Sequence, residues 1–258
     1  MKSIELLAPA KDLQAAVAAV DYGADALYIG GARFGARHAA GNSAEEIARA
    51  VEYAHQYGVR VHATLNTLLY DGELAEAERQ ARELIAAGVD ALILADLGAF
   101  TLAGKYAPRC QRHISTQQSI ANYASAAAWY DLGATRVVLA RELSLDEIRT
   151  IRAKTPKELE IETFCHGAMC VSYSGRCLLS NYINGRDSNR GECAQPCRWK
   201  YGLTESKRPG QVFDITEDAR GTYIFNSRDM CMIDHLPELL AAGITSLKIE
   251  GRTKSAYY

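Results

Sequence analysis

The sequence predicts a (β/α)8 TIM-type barrel carrying a cysteine-rich insertion after its seventh strand, and three observations predict it. An Ala- and Leu-rich amphipathic stretch, a glycine where a helix should stop, and a short β-branched or Leu-rich run recur along the chain. Repeated helix-then-strand units imply a parallel sheet, because parallel strands need crossover connections. Counting every such run gives eight strands, the number that closes this barrel, and 258 residues suffice for it as a single domain.

Taken in order, the first strand is read over residues 5–10, where LLAPA follows Glu5. Gly23, Gly58 and Gly88 then stop three helices and release strands over 24–30, 59–66 and 89–96. The fifth strand is read over 113–117, the sixth after Gly133 over 134–141, the seventh over 160–165 and the eighth after Gly243 over 244–250. Reacting groups in such barrels stand at the C-terminal ends of strands. The polar residues closing these runs are Asn66, Asp96, Gln117, Arg141, His166, and Glu250 with Arg252. Asp96 could equally cap the next helix, and Asn66 could close a turn.

Residues 1–166 and 232–258 make up the expected barrel, and 167–231 the insertion. The second half of the insertion alternates in strand-like fashion around Pro209-Gly210 and Gly221, which predicts a small β-subdomain over the barrel mouth. A barrel needs a helix after its last strand, and the chain stops at Tyr258, so an eighth helix is expected to be missing, as in a fragment of a longer protein.

Glu5 and the lack of a long apolar stretch near the start exclude a signal peptide and a membrane span there, which predicts a soluble, cytoplasmic protein. A net charge of −2 excludes a uniformly basic nucleic-acid binder but allows a local patch. Between residues 176 and 208 stand Arg176, Arg186, Arg190, Arg198, Lys200, Lys207 and Arg208, against only Asp187, Glu192 and Glu205.

The insertion also holds Cys170, Cys177, Cys193 and Cys197 in the spacing Cys-x6-Cys-x15-Cys-x3-Cys. Thiols gathered in a chain without a secretory signal point to soft-metal ligands rather than disulfides. Structural zinc favours two closely spaced pairs, and only the second pair here has that form; unequal gaps beside a barrel mouth suit an iron–sulfur cluster. Zinc, redox disulfides and buried thiols remain alternatives, and Cys231 rivals Cys197 as the fourth ligand. A cysteine nucleophile with His166 as base would leave most of the thiols unused. The sequence has no His-Glu-x-x-His, no Walker loop and no Gly-x-Gly-x-x-Gly fingerprint.

The run ETFCHGAMCVSYSGRCLLS at 162–180, GECAQPCRW at 191–199 and KIEGRTKS at 248–255 resemble the signature of peptidase family U32, and the likeness extends over nearly the whole chain from LLAPA at 6–10. Bacterial members of this family are similar to oxygen-independent hydroxylases that act on RNA or quinone precursors and carry iron–sulfur clusters. RELSL at 141–145, NYINGRD at 181–187 and RTKSAYY at 252–258 look most like the branch that hydroxylates tRNA. The resemblance implies 5-hydroxyuridine formation at the wobble position, prephenate as co-substrate and hydroxyl donor, and a cluster of the 4Fe–4S type on Cys170, Cys177, Cys193 and Cys197. Ribosomal RNA or a quinone precursor is the alternative acceptor, and a collagenase-like peptidase a more remote reading.

On that basis His166, Glu250, Asn66 and Gln117 are the catalytic candidates. Arg141, Arg252 and Lys254 would meet the carboxylates of the donor, and Arg176 and Arg198 the phosphates of the RNA. Tyr173 and Trp199 would serve as stacking platforms for a base, or else pack the insertion onto the barrel.

Overall fold

The computed structural model describes residues 4–199, 203, 204, 206, 207, 210, 212, 213, 229–255, 257 and 258. Eight parallel strands close on themselves: β1 (Glu5–Ala10), β2 (Ala26–Gly31), β3 (Arg60–Leu65), β4 (Ala91–Leu94), β5 (Gln111–Ile114), β6 (Arg136–Val138), β7 (Glu160–Gly167) and β8 (Ser246–Ile249). β1 pairs with β2 through Leu7↔Ala26 and with β8 through Glu5↔Ser246, which seals the barrel. The expected barrel is therefore what the chain forms.

Helices α1 (Leu13–Asp21), α2 (Ala44–Gln56), α3 (Leu74–Ala86), α4 (Leu97–Tyr106), α5 (Tyr123–Asp131) and α6 (Leu145–Ala153) wrap the outside; α7 (Leu179–Asn184) lies in the insertion and α8 (Leu236–Ala241) follows it. Their starts obey local chemistry. Ser43 and Ser144 each form a capping box with the Glu three residues on, Glu46 and Glu147. Asp96 accepts from the Ala99 amide and so serves as the α4 cap. The glycines that punctuate the sequence repeat, among them Gly23 at φ 91° and Gly133 at φ 98°, stop their helices in the left-handed region.

Several strands are shorter than the runs read from the sequence, β6 most of all at Arg136–Val138 against 134–141, and two differences at strand ends have a clear cause. β5 stops at Ile114, because the Ser115 hydroxyl accepts from the Gln117 amide and turns the chain into one 3-10 turn at Thr116–Gln118. β7 runs past His166 to Gly167, because Met230–Cys231 pairs antiparallel with Gly167 and His166 and prolongs the sheet there. Within the insertion, Leu203–Thr204 pairs antiparallel with Val212–Phe213; the part of the strand-like alternation expected after Gly221, at 222–226, falls outside the described residues. Among the described residues no helix follows β8, and none is long and apolar enough to cross a membrane.

Outward-facing strand residues such as Leu27, Ile29, Val61, Leu92 and Leu94 pack against the helices as the main apolar core. Inside the barrel a small apolar cluster of Leu7, Ala26, Tyr28 and Ile93 accompanies a buried ionic network. Arg136, 1% exposed, reaches Glu160 at 2.6 Å and Glu162 at 2.9 Å and also binds Glu5. Ser246 lies 3.3 Å away, Arg60 covers Glu5 from below, and Lys248 pairs with Glu162 at 2.9 Å. Burial raises the carboxyls of Glu5 and Glu162, but the neighbouring cations outweigh it and hold both below the usual carboxylate range. Next to this network His62 and His113 meet edge to face at 4.7 Å, fully buried. Burial first, then the charge of Arg136, pushes both imidazoles well below the ordinary histidine value.

Two outcomes follow. Arg136→Met removes the shared partner of three carboxylates, so it should cost about 3–5 kcal/mol, read as a drop in the urea midpoint; an unchanged midpoint would show that the network is dispensable. The histidines are neutral when folded, so below an ordinary value of about 6.5 the unfolded chain takes up protons that the folded chain refuses. Stability should therefore fall as pH drops from 7.5 to 5.5, and fall less in a His62→Leu variant; equal pH sensitivity of the two proteins would refute this assignment.

Candidate functional site

The insertion leaves and re-enters at the tip of β7, and close approach of backbone makes that possible. Gly167, at φ 120°, lies so near β8 that an added Cβ would sit 2.3 Å from the Glu250 carbonyl oxygen. Only glycine fits such a backbone and such a space. From here the chain is tied down residue by residue. Asn189 holds the Cys177 backbone at both ends, accepting from its amide at 3.1 Å and donating to its carbonyl at 3.0 Å. Buried Ser180 accepts from the Ala194 amide at 3.1 Å, and Arg198 donates to the Met169 carbonyl at 3.1 Å. Arg190 pairs with Glu73 at 2.5 Å and lies over the Tyr70 ring, which pins the insertion to the segment before α3.

Two adjoining cavities result. The inner chamber sits at the C-terminal end of the barrel and is lined by Tyr28, Thr64, Asn66, Gln117, Arg141, Phe164, Tyr173, Lys248, Glu250 and Arg252, together with Cys170, Cys177, Cys193 and Cys197. The outer cleft, about 390 Å³, is bounded by Arg37, Arg186, Arg198, Lys254 and Glu250. Cys170, Cys193 and Cys197 belong to both walls. The thiols thus stand between a chamber inside the barrel and a cleft under the insertion.

Charge around the thiols is mainly positive. Burial raises the Cys170 thiol, but the guanidiniums of Arg141 and Arg37 outweigh it and bring the group below its ordinary value. Burial and the neighbouring thiols raise Cys197. Burial also raises Glu250, yet Arg37, Arg252 and Arg141 together keep it ionised below the usual carboxylate range. Tyr28 is pushed well above the ordinary phenol value by burial and by Glu250; it stays protonated and donates to Glu250 Oε2 at 3.2 Å and to the Ile249 carbonyl at 3.0 Å. Arg252, 3% exposed, donates to Thr64 Oγ1 at 2.7 Å, while its Nε and that of Arg141 are buried with no partner among the described residues. An unpaired buried guanidinium N–H is costly, and a carboxylate oxygen would satisfy it.

Of the sequence-derived candidates, Asn66, Gln117, Arg141, Tyr173, Glu250 and Arg252 meet at the inner chamber, and Arg198 and Lys254 at the outer cleft. Asn66 is already committed there, accepting from the Ala36 amide and donating to Ser115 Oγ, both at 2.9 Å. His166, Arg176 and Cys231 line neither cavity. His166 packs 5.8 Å from the Tyr258 ring, Arg176 donates to Ser119 Oγ at 3.4 Å, and Cys231 is exposed. Sequence reasoning missed Arg37, Tyr28 and Lys248. Strand alternation could have revealed Lys248, two residues before Glu250 on the same inward face, and Tyr28 in the same way. Arg37 lies on an irregular segment after β2 and had no such signal.

All four thiols line one chamber. Among the described residues no three His, Cys, Asp or Glu side chains are grouped closely enough to hold a metal ion.

The model of peptidase family U32 matches residues 11–258. The chain is 43% identical over its full length to a Bacillus subtilis protein named tRNA hydroxylation protein P1, of which it covers 60%. Over 99% of its length it is 44% identical to the 23S rRNA 5-hydroxycytidine C2501 synthase of Escherichia coli, of which it covers 37%. It therefore spans less than two thirds of each of these curated relatives. Among solved structures, a U32 peptidase superposes with a TM-score of 0.62 at 13% identity, covering 97% of this chain and 94% of that one, which shows a shared fold.

Proposed function

The chain belongs to peptidase family U32, and we propose that it is the catalytic portion of an RNA hydroxylase that forms 5-hydroxyuridine at the wobble position of tRNA. In this reading prephenate is the hydroxyl donor, and Cys170, Cys177, Cys193 and Cys197 hold an iron–sulfur cluster of the 4Fe–4S type. The observation that carries it is the inner chamber itself: four thiols line one space with Arg141 and Arg252, whose buried Nε groups have no partner among the described residues, at the end of the barrel where such folds place their chemistry. The RNA part is supported by relatives named for hydroxylating tRNA and ribosomal RNA.

A bound cluster would supply one-electron redox chemistry. The side chains around it have separable tasks. Arg252 and Arg141, with Lys248 beside them, would take the carboxylates of the donor through parallel hydrogen bonds. Lys254, grouped with these arginines on sequence grounds, faces the outer cleft instead, and with Arg186 and Arg198 it suits phosphate. Arg190 is engaged by Glu73, so it holds the insertion in place. Glu250 is ionised and accepts only, so it would take an N–H from the edge of the base, with the protonated Tyr28 fixing its other oxygen. Tyr173, 47% exposed at the chamber rim, would stack on a base presented out of an anticodon loop.

A cytidine of ribosomal RNA is the second reading, favoured by the equally similar Escherichia coli relative. Hydrolysis gains no support from the site, since His166, the histidine nearest the thiols in sequence, lines neither cavity.

Mass spectrometry of nucleosides from cells with and without the gene should show 5-hydroxyuridine derivatives disappearing from tRNA. Loss of 5-hydroxycytidine from ribosomal RNA alone would select the second reading, and no change in either would overturn both. Purified without air, the protein should be brown and contain iron and sulfide; a colourless protein with stoichiometric zinc would overturn the cluster. Cys197→Ser should lose iron and Cys231→Ser should keep it, because only Cys197 shares the chamber with the other three thiols. Full iron in the Cys197→Ser protein would transfer the fourth ligand to Cys231.

A further inference from the structure

We propose that Arg37 and Glu250 act as an opposed pair of charges that sets the reduction potential of whatever the four thiols hold, with Arg37 raising it and Glu250 lowering it. This rests on the reading that the thiols hold an iron–sulfur cluster. Arg37 and Glu250 are the two oppositely charged residues that line both cavities, along the same wall as Cys170, Cys193 and Cys197. Arg37 Nη2 stands 3.7 Å from Glu250 Oε1, and its side chain is 24% exposed against 16% for Glu250. Charges that line the same cavities as the thiols and are this poorly hydrated are weakly screened.

The position of Arg37 is built rather than incidental. Its Nη1 donates to the Ala36 carbonyl at 2.9 Å, and the Ala36 amide donates in turn to Asn66 at the end of β3. Asn66 is fixed by Ser115 after β5. Glu250 is fixed from the opposite side by Tyr28 on β2. The ends of β3 and β5 therefore hold the cation, Tyr28 within β2 holds the anion at the end of β8, and the pair meets beside the thiols. The charge on Arg37 is drawn both to the Glu250 carboxylate and to the thiols of Cys170 and Cys193.

A cluster takes up negative charge when reduced, and its potential follows nearby charge. Removing the cation should make reduction harder, and removing the anion should make it easier. Arg37 acts here as a positioning residue for charge and touches no reacting atom.

The test is a redox titration with dithionite of the full chain purified without air, followed by absorbance or paramagnetic resonance, with iron and sulfide assayed in parallel. Arg37→Gln should lower the equilibrium constant for reduction about tenfold, roughly 59 mV for a one-electron couple, whereas Arg37→Lys should stay near the parent protein. Glu250→Gln should shift the constant the opposite way. A merely structural role would lower iron content or move both variants in one direction, and either result, like two unshifted potentials in iron-loaded variants, overturns the proposal alone. If Arg37→Gln fails to fold, Glu250→Gln must still make reduction easier while Arg37→Lys stays unshifted, and a shift of Glu250→Gln the other way overturns the proposal. A colourless parent protein would overturn the cluster reading, and this inference with it.

Discussion

Everything at the barrel mouth depends on the buried guanidinium of Arg136, which neutralises carboxylates from three other positions inside a closed sheet. Glu5 comes from β1, Glu160 and Glu162 from β7, and Lys248 and Ser246 extend the network onto β8. A buried ion pair contributes little net stability against a well-packed apolar core, but a single unpaired charge is expensive. The arrangement therefore penalises slippage heavily. Moving β7 or β8 by one residue would turn a carboxylate or an ammonium outward and leave its partners stranded. The β1–β8 seam, where the barrel closes, is locked through Glu5 and Ser246.

Register at the floor fixes geometry at the mouth. The inward row Ser246, Lys248, Glu250 on β8 carries the ion network upward: Lys248 binds Glu162 below and lies over the Tyr28 ring, and Tyr28 holds Glu250 above. A cation that stabilises the interior is thus one step from a carboxylate that faces the thiols. Hydrogen-bonded charges transmit position in this way because their geometry tolerates less displacement than apolar packing does.

Much of this was legible in the sequence, for physical reasons. The repeat glycines marked helix ends because left-handed backbone requires them, and the strands followed from the intervals between them. Cysteine clustering was legible because thiols are scarce and their spacing is conspicuous. Strand ends were less so. His166 looked like a mouth residue at the close of β7, but pairing with Met230–Cys231 carries the strand onward, and the register shifts beside β8 between Lys248 and Ile249. Asp96 proved to be a cap, since the helix amide three residues on was its nearest donor. Arg37 was invisible because its place is set by Asn66 and Glu250, both remote in sequence, and no periodic pattern covers an irregular connection.

The rung that joins Gly167 to Met230 has a further meaning. The insertion begins and ends at directly paired residues, so to the barrel it is a closed loop whose two feet occupy one point. Lengthening such a loop costs only a logarithmically growing entropy and disturbs no neighbouring strand. Evolution could therefore remodel the chain between the feet, with new rims for new acceptors, while the charged interior stays untouched. The tip of β7 is a graft union, and the same point is where an engineer could transplant one relative's insertion onto another's barrel.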